Sequence, residues 1–164
     1  MRTIIHDLND KDLKNISFNT DDKILSSNCC NNNCIGCFSC WIKHPKRCIF
    51  NDEFFSMCDY LKDSSELIII SKNRYGCYSH SVKKVLERSI GYVLPYFTIR
   101  NGEVHHESRY DEKLKLSIYI YGEVSKEDKM CLERLVKANA INLNAQSYNV
   151  KYISKLKEIN KCIL

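Results

Sequence analysis

The longest uninterrupted aliphatic run in the chain is Leu67-Ile68-Ile69-Ile70. Such a run is the pattern of a central parallel strand buried on both faces. Around it, short β-branched stretches alternate with apolar stripes at helical spacing. Thr3 to Leu8 reads as a first strand. A short helical turn follows around Asp10 to Ile16, where Leu13 and Ile16 stand three apart. Asp21-Asp22 marks a turn and Lys23 to Ser26 a second short strand. Asp52 is placed to cap a helix over Glu53 to Lys62, in which Phe54, Phe55, Cys58 and Leu61 form one core-facing stripe. Ser79 opens the next helix, with Val82, Val85, Leu86, Ser89 and Ile90 as its buried face. Tyr96 to Arg100 and Glu103 to His106 flank Asn101-Gly102, a pair that supplies the positive φ angles of a type I′ hairpin turn. Leu114 to Tyr121 reads as the fourth strand of the core sheet. Ser125 with Asp128 starts a helix through about Asn139, and Tyr148 to Ile153 is a last strand. The lysine-rich tail from Lys155 to Leu164 is either a short final helix or a frayed end. This alternation predicts a doubly wound α/β sheet.

Length and composition narrow the picture. A chain of 164 residues suits one domain with one core. Within residues 1–164 two stretches interrupt the alternation, a cysteine loop at 29–48 and a hairpin insertion at about 92–110. Hydrophobic content of 44% and charged content of 27% are those of an ordinary globular protein. The formal charge of +5 is modest and its basic residues are scattered, so no nucleic acid is expected as a partner. No apolar run approaches a membrane span, and the first residues lack the charged-then-apolar pattern of a signal peptide. Ten cysteines in such a chain predict a cytoplasmic, reducing setting, with thiols serving as ligands or core residues. No nucleophile elbow, phosphate-binding P-loop or HExxH motif is present.

The cysteines carry the densest chemistry. Cys34, Cys37, Cys40 and Cys48 form a C-x2-C-x2-C-x7-C pattern, interleaved with Gly36, Phe38 and Trp41. Close thiolates at this spacing converge on one iron–sulfur cluster. Zinc sites more often use two separated C-x2-C knuckles. The bland alternative is a buried cysteine-rich loop without metal, since free cysteine is among the most buried residue types. Cys29 and Cys30 sit just before the motif, and one or both are expected to be bystanders. His105, His106 and Glu107 follow the hairpin turn, and His80 starts a helix. On a strand, His105 and Glu107 share one face, which suits a metal or proton-transfer site or simply an exposed polar edge.

The motif also carries a family resemblance. Cys34-Ile35-Gly36-Cys37-Phe38-Ser39-Cys40-Trp41, then Pro45-Lys46-Arg47-Cys48 and Asn51-Asp52, resembles a signature of flavodoxin-fold flavoproteins. These are the NADPH-dependent FMN reductases and their iron–sulfur flavoprotein branch. Ser71-Lys72-Asn73-Arg74-Tyr75-Gly76, followed by Lys83, Leu86, Glu87 and Arg88, resembles the family's flavin loop and the helix behind it. The resemblance implies a flavodoxin-like three-layer α/β/α fold with a mostly parallel five-stranded sheet and a β-hairpin insertion. It implies an FMN-dependent oxidoreductase or electron-transfer flavoprotein, with NAD(P)H or a redox protein as donor. By the same resemblance Ser71, Lys72, Asn73, Arg74, Tyr75 and Gly76 border the flavin, with Gly76 letting backbone approach it. Cys34, Cys37, Cys40 and Cys48 hold a [4Fe–4S] cluster or shape the loop covering the flavin. A dimer or tetramer is implied, with the aromatic hairpin insertion as a natural contact.

Two departures stand against this. Lys72 replaces a usual proline and Arg74 a common tyrosine; both are either cations that stabilise a reduced, anionic flavin ring or solvated loop charges. The first strand is followed by Leu8-Asn9-Asp10-Lys11-Asp12, with no glycine, serine or threonine to cradle a phosphate and with aspartates that repel one. The alternatives to the redox reading are a degenerate flavodoxin-like domain that no longer binds FMN and acts as a binding partner, and a structural metal-binding module.

Overall fold

The computed structural model describes residues 1–163, the side chains of residues 161 and 162 excepted. The elements run β1 (Arg2–His6), α1 (Asp10–Leu13), β2 (Lys23–Ser26), α2 (Met57–Lys62), β3 (Glu66–Lys72) and α3 (His80–Glu87). They continue through β4 (Val93–Arg100), β5 (Glu103–Ser108), β6 (Lys115–Tyr121), α4 (Lys126–Asn142), β7 (Ser147–Ile153) and α5 (Asn160–Ile163). Five strands form one sheet in the order β2-β1-β3-β6-β7, and every pairing in it is parallel. The chain thus steps from β1 outward to β2, returns to the other side of β1 as β3, and continues outward from there. The point of reversal lies between β1 and β3.

Side chains alternate across this sheet, as the two-residue period requires. Ile5, Leu67, Ile69, Leu116 and Ile118 pack with Met57, Cys58 and Leu61 of α2, Val82 and Val85 of α3, and Leu132 and Val136 of α4. Ile4, Ile68, Ile70 and Tyr119 on the opposite face pack with Ile16, Ile159 and Ile163. Up to Ile163 the tail forms a short helix: a 3₁₀ turn at Leu156–Ile159 leads into α5, and Asn160 ties it back by accepting from the Ser17 amide and donating to the Asn15 carbonyl; Leu164 lies outside the described residues. No helix among the described residues is long and apolar enough to cross a membrane.

Three sequence expectations are corrected. The helix expected over Glu53 to Lys62 begins only at Met57, because the Asp52 carboxylate accepts from the Phe54 amide and from Arg88. That arrangement holds residues 53–56 in turns and drives Phe54 into the core. The first strand ends at His6 rather than Leu8, since the Asp7 side chain turns to bond across the sheet. The helix expected over Asp10 to Ile16 closes after one turn, at Leu13. The hairpin stands as expected, with Asn101 at φ +52° and Gly102 at φ +82°. It begins earlier, at Val93, and forms a separate antiparallel sheet. Its register shifts between Val93 and Phe97, around Pro95, which has no amide to contribute to a ladder.

Candidate functional site

In an open parallel sheet, ligands lie outside the carboxyl ends of the strands at the point of reversal. Here that point is closed by Asp7. Its carboxylate accepts the Lys72 amide at 3.0 and 3.2 Å, the Tyr121 hydroxyl at 3.0 Å and the Ser71 hydroxyl at 3.4 Å. One side chain therefore stitches β1, β3 and β6 together. Burial, and then the neighbouring Asp7 carboxylate, push the Tyr121 hydroxyl above its ordinary range, so it stays protonated and donates. The amides just beyond are also engaged. The Leu8 amide donates to His6 Nδ1, and the Asp12 amide donates to the N-cap Asn9 Oδ1. A phosphate placed after β1 would meet Asp7, Asp10 and Asp12, with the amides of Leu8 and Asp12 already taken. The phosphate end of FMN does not fit there.

The loop after β3 is equally self-contained. Ser71 is buried, and its hydroxyl accepts from the Ser79 amide at 2.8 Å. Asn73 donates to the Glu123 carbonyl and the Asp128 carboxylate, and accepts from the Gly76 amide. Gly76, at φ +71°, is needed for a close approach, but the approach is to α4. A Cβ there would sit 2.6 Å from Cys131 Cβ and 3.2 Å from the Asp128 backbone. The bare Cα face of Gly76 is thus turned to α4. What the loop offers outward is the side chains of Lys72, Arg74 and Tyr75, the last 96% exposed with φ +54°.

The cysteine loop lies elsewhere. It runs down the outside of α3, where the Lys84 ammonium donates to the Cys30 carbonyl. At the far end of α3, Arg88 is buried and bidentate to Asp52, Nη1 to Oδ2 at 2.7 Å and Nη2 to Oδ1 at 2.6 Å. Trp41 Nε1 donates to the Val93 and Ile90 carbonyls, at 2.9 and 3.2 Å, and its ring stacks on Phe38 and meets His106 at 4.8 Å. Gly91 lacks the Cβ that would meet Cys58 Sγ at 3.0 Å and Cys40 Cβ at 3.2 Å. The eight residues of α3, about 12 Å at 1.5 Å per residue, separate this end from the loop at Ser71–Gly76. The cysteines therefore do not cover the carboxyl edge of β3.

Cys34, Cys37, Cys40 and Cys48 all border one cavity of about 590 Å³. Burial first, then the nearby sulfurs of Cys34, Cys48 and Cys37, push the Cys40 thiol above its ordinary range. Cys58, buried beside them, is pushed up to about 12 by desolvation. Among the described residues no three His, Cys, Asp or Glu side chains stand together as a metal-ion site. The shared face of His105 and Glu107 is not realised as a pair either. His105 Nε2 lies 3.2 Å from Glu103 Oε2 and its Nδ1 3.0 Å from Asn142 Oδ1. His106 is held between Trp41 and Phe97.

Sequence reasoning missed Asp7 and the Arg88–Asp52 pair as organising groups. Asp7 sits inside a segment read as strand, where a carboxylate carries no signal of its role. Arg88 and Asp52 are 36 residues apart, and their pairing has no local periodicity to announce it.

No protein-family model matches the sequence, and no curated protein matches it. Among solved structures, the chain is similar to an FMN-dependent NADH-azoreductase from Bacillus anthracis str. Ames Ancestor, crystallised in complex with FMN. The two share 11% identity with a TM-score of 0.51, over 99% of this chain and 94% of that one. At that identity the likeness speaks for the fold. With the all-parallel order β2-β1-β3-β6-β7 and helices on both faces, the chain has a flavodoxin-like α/β fold carrying a separate hairpin sheet.

Proposed function

We propose that the protein is a flavin-linked oxidoreductase or electron-transfer flavoprotein, taking a flavin ring at the carboxyl edge of β1 and β3 with NAD(P)H or a redox protein as donor. The observation that carries this reading is the sheet order itself. It sets a reversal point at β1 and β3, and a protein similar over nearly the whole chain is an FMN-dependent enzyme. A bound flavin supplies hydride acceptance and one-electron exchange. The chain's contribution at this edge is two exposed cations, Lys72 and Arg74, and the exposed ring of Tyr75. Because Asp7 and its neighbours repel a phosphate, the ring is held and the phosphate is left in solvent.

Titration with FMN and with riboflavin, followed by anaerobic NADH or NADPH, tests this. The expected outcome is similar affinity for both flavins, within about threefold or less than 1 kcal/mol, and bleaching of the bound ring by one of the nicotinamides. Much tighter FMN would mean that the phosphate is gripped after all. Binding of neither flavin favours the second reading, for which Asp7 is the specific support: a flavodoxin-like domain without FMN that acts as a partner protein.

The iron–sulfur reading rests on the cysteine spacing, with all four thiols on one cavity as its only structural support. Iron and acid-labile sulfide in protein prepared without oxygen test it, and zinc in their place would make the loop a structural module. Self-association is proposed through the hairpin, where Tyr96, Phe97, Ile99 and Val104 are all more than 60% exposed. Sedimentation is expected to show a dimer or tetramer that Ile99→Lys dissociates; a wild-type monomer at all concentrations would remove the proposal. A cytoplasmic location belongs to the same reading.

A further inference from the structure

The cavity beneath the cysteine loop is a chamber built into the helical layer, at the opposite end of α3 from the proposed flavin edge. Its floor is the sheet itself, at Ile69 and Leu116, and its sides are the carboxyl ends of α3 and α4. A volume of about 590 Å³ is in the range that holds a small organic ligand, and the lining is mostly apolar. Two polar atoms on its walls are buried without a hydrogen-bond partner, Arg88 Nε and His106 Nδ1. Arg88 is 3% exposed, and both of its terminal nitrogens are committed to Asp52. Its Nε–H is therefore a spare donor on a guanidinium whose charge is already neutralised. An unmet donor of this kind is costly to leave in an apolar wall.

These features define the chemistry of an occupant. The Arg88 charge is matched by Asp52, and the other side chain of formal charge in the lining is the exposed Glu87, so the lining offers an anion no unpaired cation. Phe38, Phe50, Tyr92 and His106 present ring surfaces. An acceptor oxygen on the ligand satisfies Arg88 Nε–H. We propose that this cavity is a binding site for a neutral, largely apolar ring compound bearing a carbonyl oxygen, with Arg88 Nε–H and His106 Nδ1 as its polar contacts. The site is separate from the flavin edge and stands whether or not a flavin is bound there.

Nile red, a neutral planar dye with a ring carbonyl that brightens in apolar surroundings, is a direct probe on the intact protein. Saturable one-to-one binding is expected. Leu143→Trp, which fills the chamber from the end of α4, is expected to abolish it. His106→Phe keeps the ring between Trp41 and Phe97 but removes the nitrogen, and is expected to weaken binding about fivefold, the worth of one hydrogen bond. Lys14→Gln, at an exposed position beside α1 on the opposite side of the sheet, is expected to leave binding unchanged. Non-saturating fluorescence, binding that survives Leu143→Trp in a folded variant, or binding lost with Lys14→Gln would overturn the proposal. So would protein whose cysteine loop carries metal and excludes the dye.

Discussion

At the scale of single residues, burial decides which charges matter. The Arg88 side chain is fully buried against an Asp52 that is 27% exposed. Burial alone would raise the Asp52 carboxyl, but hydrogen bonds from Arg88, Asn32 and the Phe54 amide outweigh it and hold the group below the usual carboxylate range. Removing one partner of such a pair strands the other in a dry site. Asp52→Ala is therefore expected to cost about 3–5 kcal/mol in urea unfolding, and Asp52→Asn clearly less because an acceptor remains. His6 is the second buried group with a consequence. Burial lowers its affinity for a proton, against a weaker opposing pull from Asp7 and Asp10, and its Nδ1 must stay bare to accept the Leu8 amide. The unfolded chain takes up that proton more readily, so the contribution is complete above about 6.5 and is lost as pH falls below it. Thermal unfolding followed between pH 7.5 and pH 5, values that bracket the ordinary imidazole range, is expected to show this loss. His6→Asn, which keeps an acceptor, is expected to flatten it.

At the scale of elements, local signals worked where the chain answers to its own backbone. Ser125 and Asp128 form the reciprocal capping box that starts α4, Ser79 caps α3 through the Val82 amide, and Asn101-Gly102 makes the hairpin turn. Each depends on residues within three positions of one another. The helix expected over residues 53–62 starts only at Met57 because its cap residue is claimed by Arg88, a partner no local window contains. Gly76 makes the same point for a loop. The resemblance implied a close approach at Gly76, but the surface approached is α4. Gly76→Ala is expected to destabilise the protein, through about 1–2 kcal/mol of left-handed strain and about 1–3 kcal/mol of overpacking against Cys131. Loss of α4 contacts near Asp128, followed by amide exchange at the start of that helix, checks the cause. Unchanged stability would mean that α4 shifts freely to admit the methyl group.

At the scale of the whole molecule, the parallel sheet was readable because its strands are buried on both faces and must be apolar throughout, as Leu67 to Ile70 are. The alternation pointed to a doubly wound sheet, while the strand order β2-β1-β3-β6-β7 is seen only in the folded chain. The arrangement of candidate sites did not. The sequence places the cysteine motif and the Ser71–Gly76 loop in one functional signature, yet they occupy opposite ends of α3. The reason is directional. The chain leaves β2 at the carboxyl edge and must return to the amino end of β3, so the cysteine loop travels the length of the helical layer on the way. The sequence by itself determined most of the elements and their alternation, since these rest on local spacing and residue type. Tertiary structure alone decided that Asp7 closes the reversal point, that Arg88 is neutralised by Asp52, and that a cavity lies beneath the cysteines. Each of those joins residues far apart in the chain, and their energies come from burial that exists only once the layers have packed.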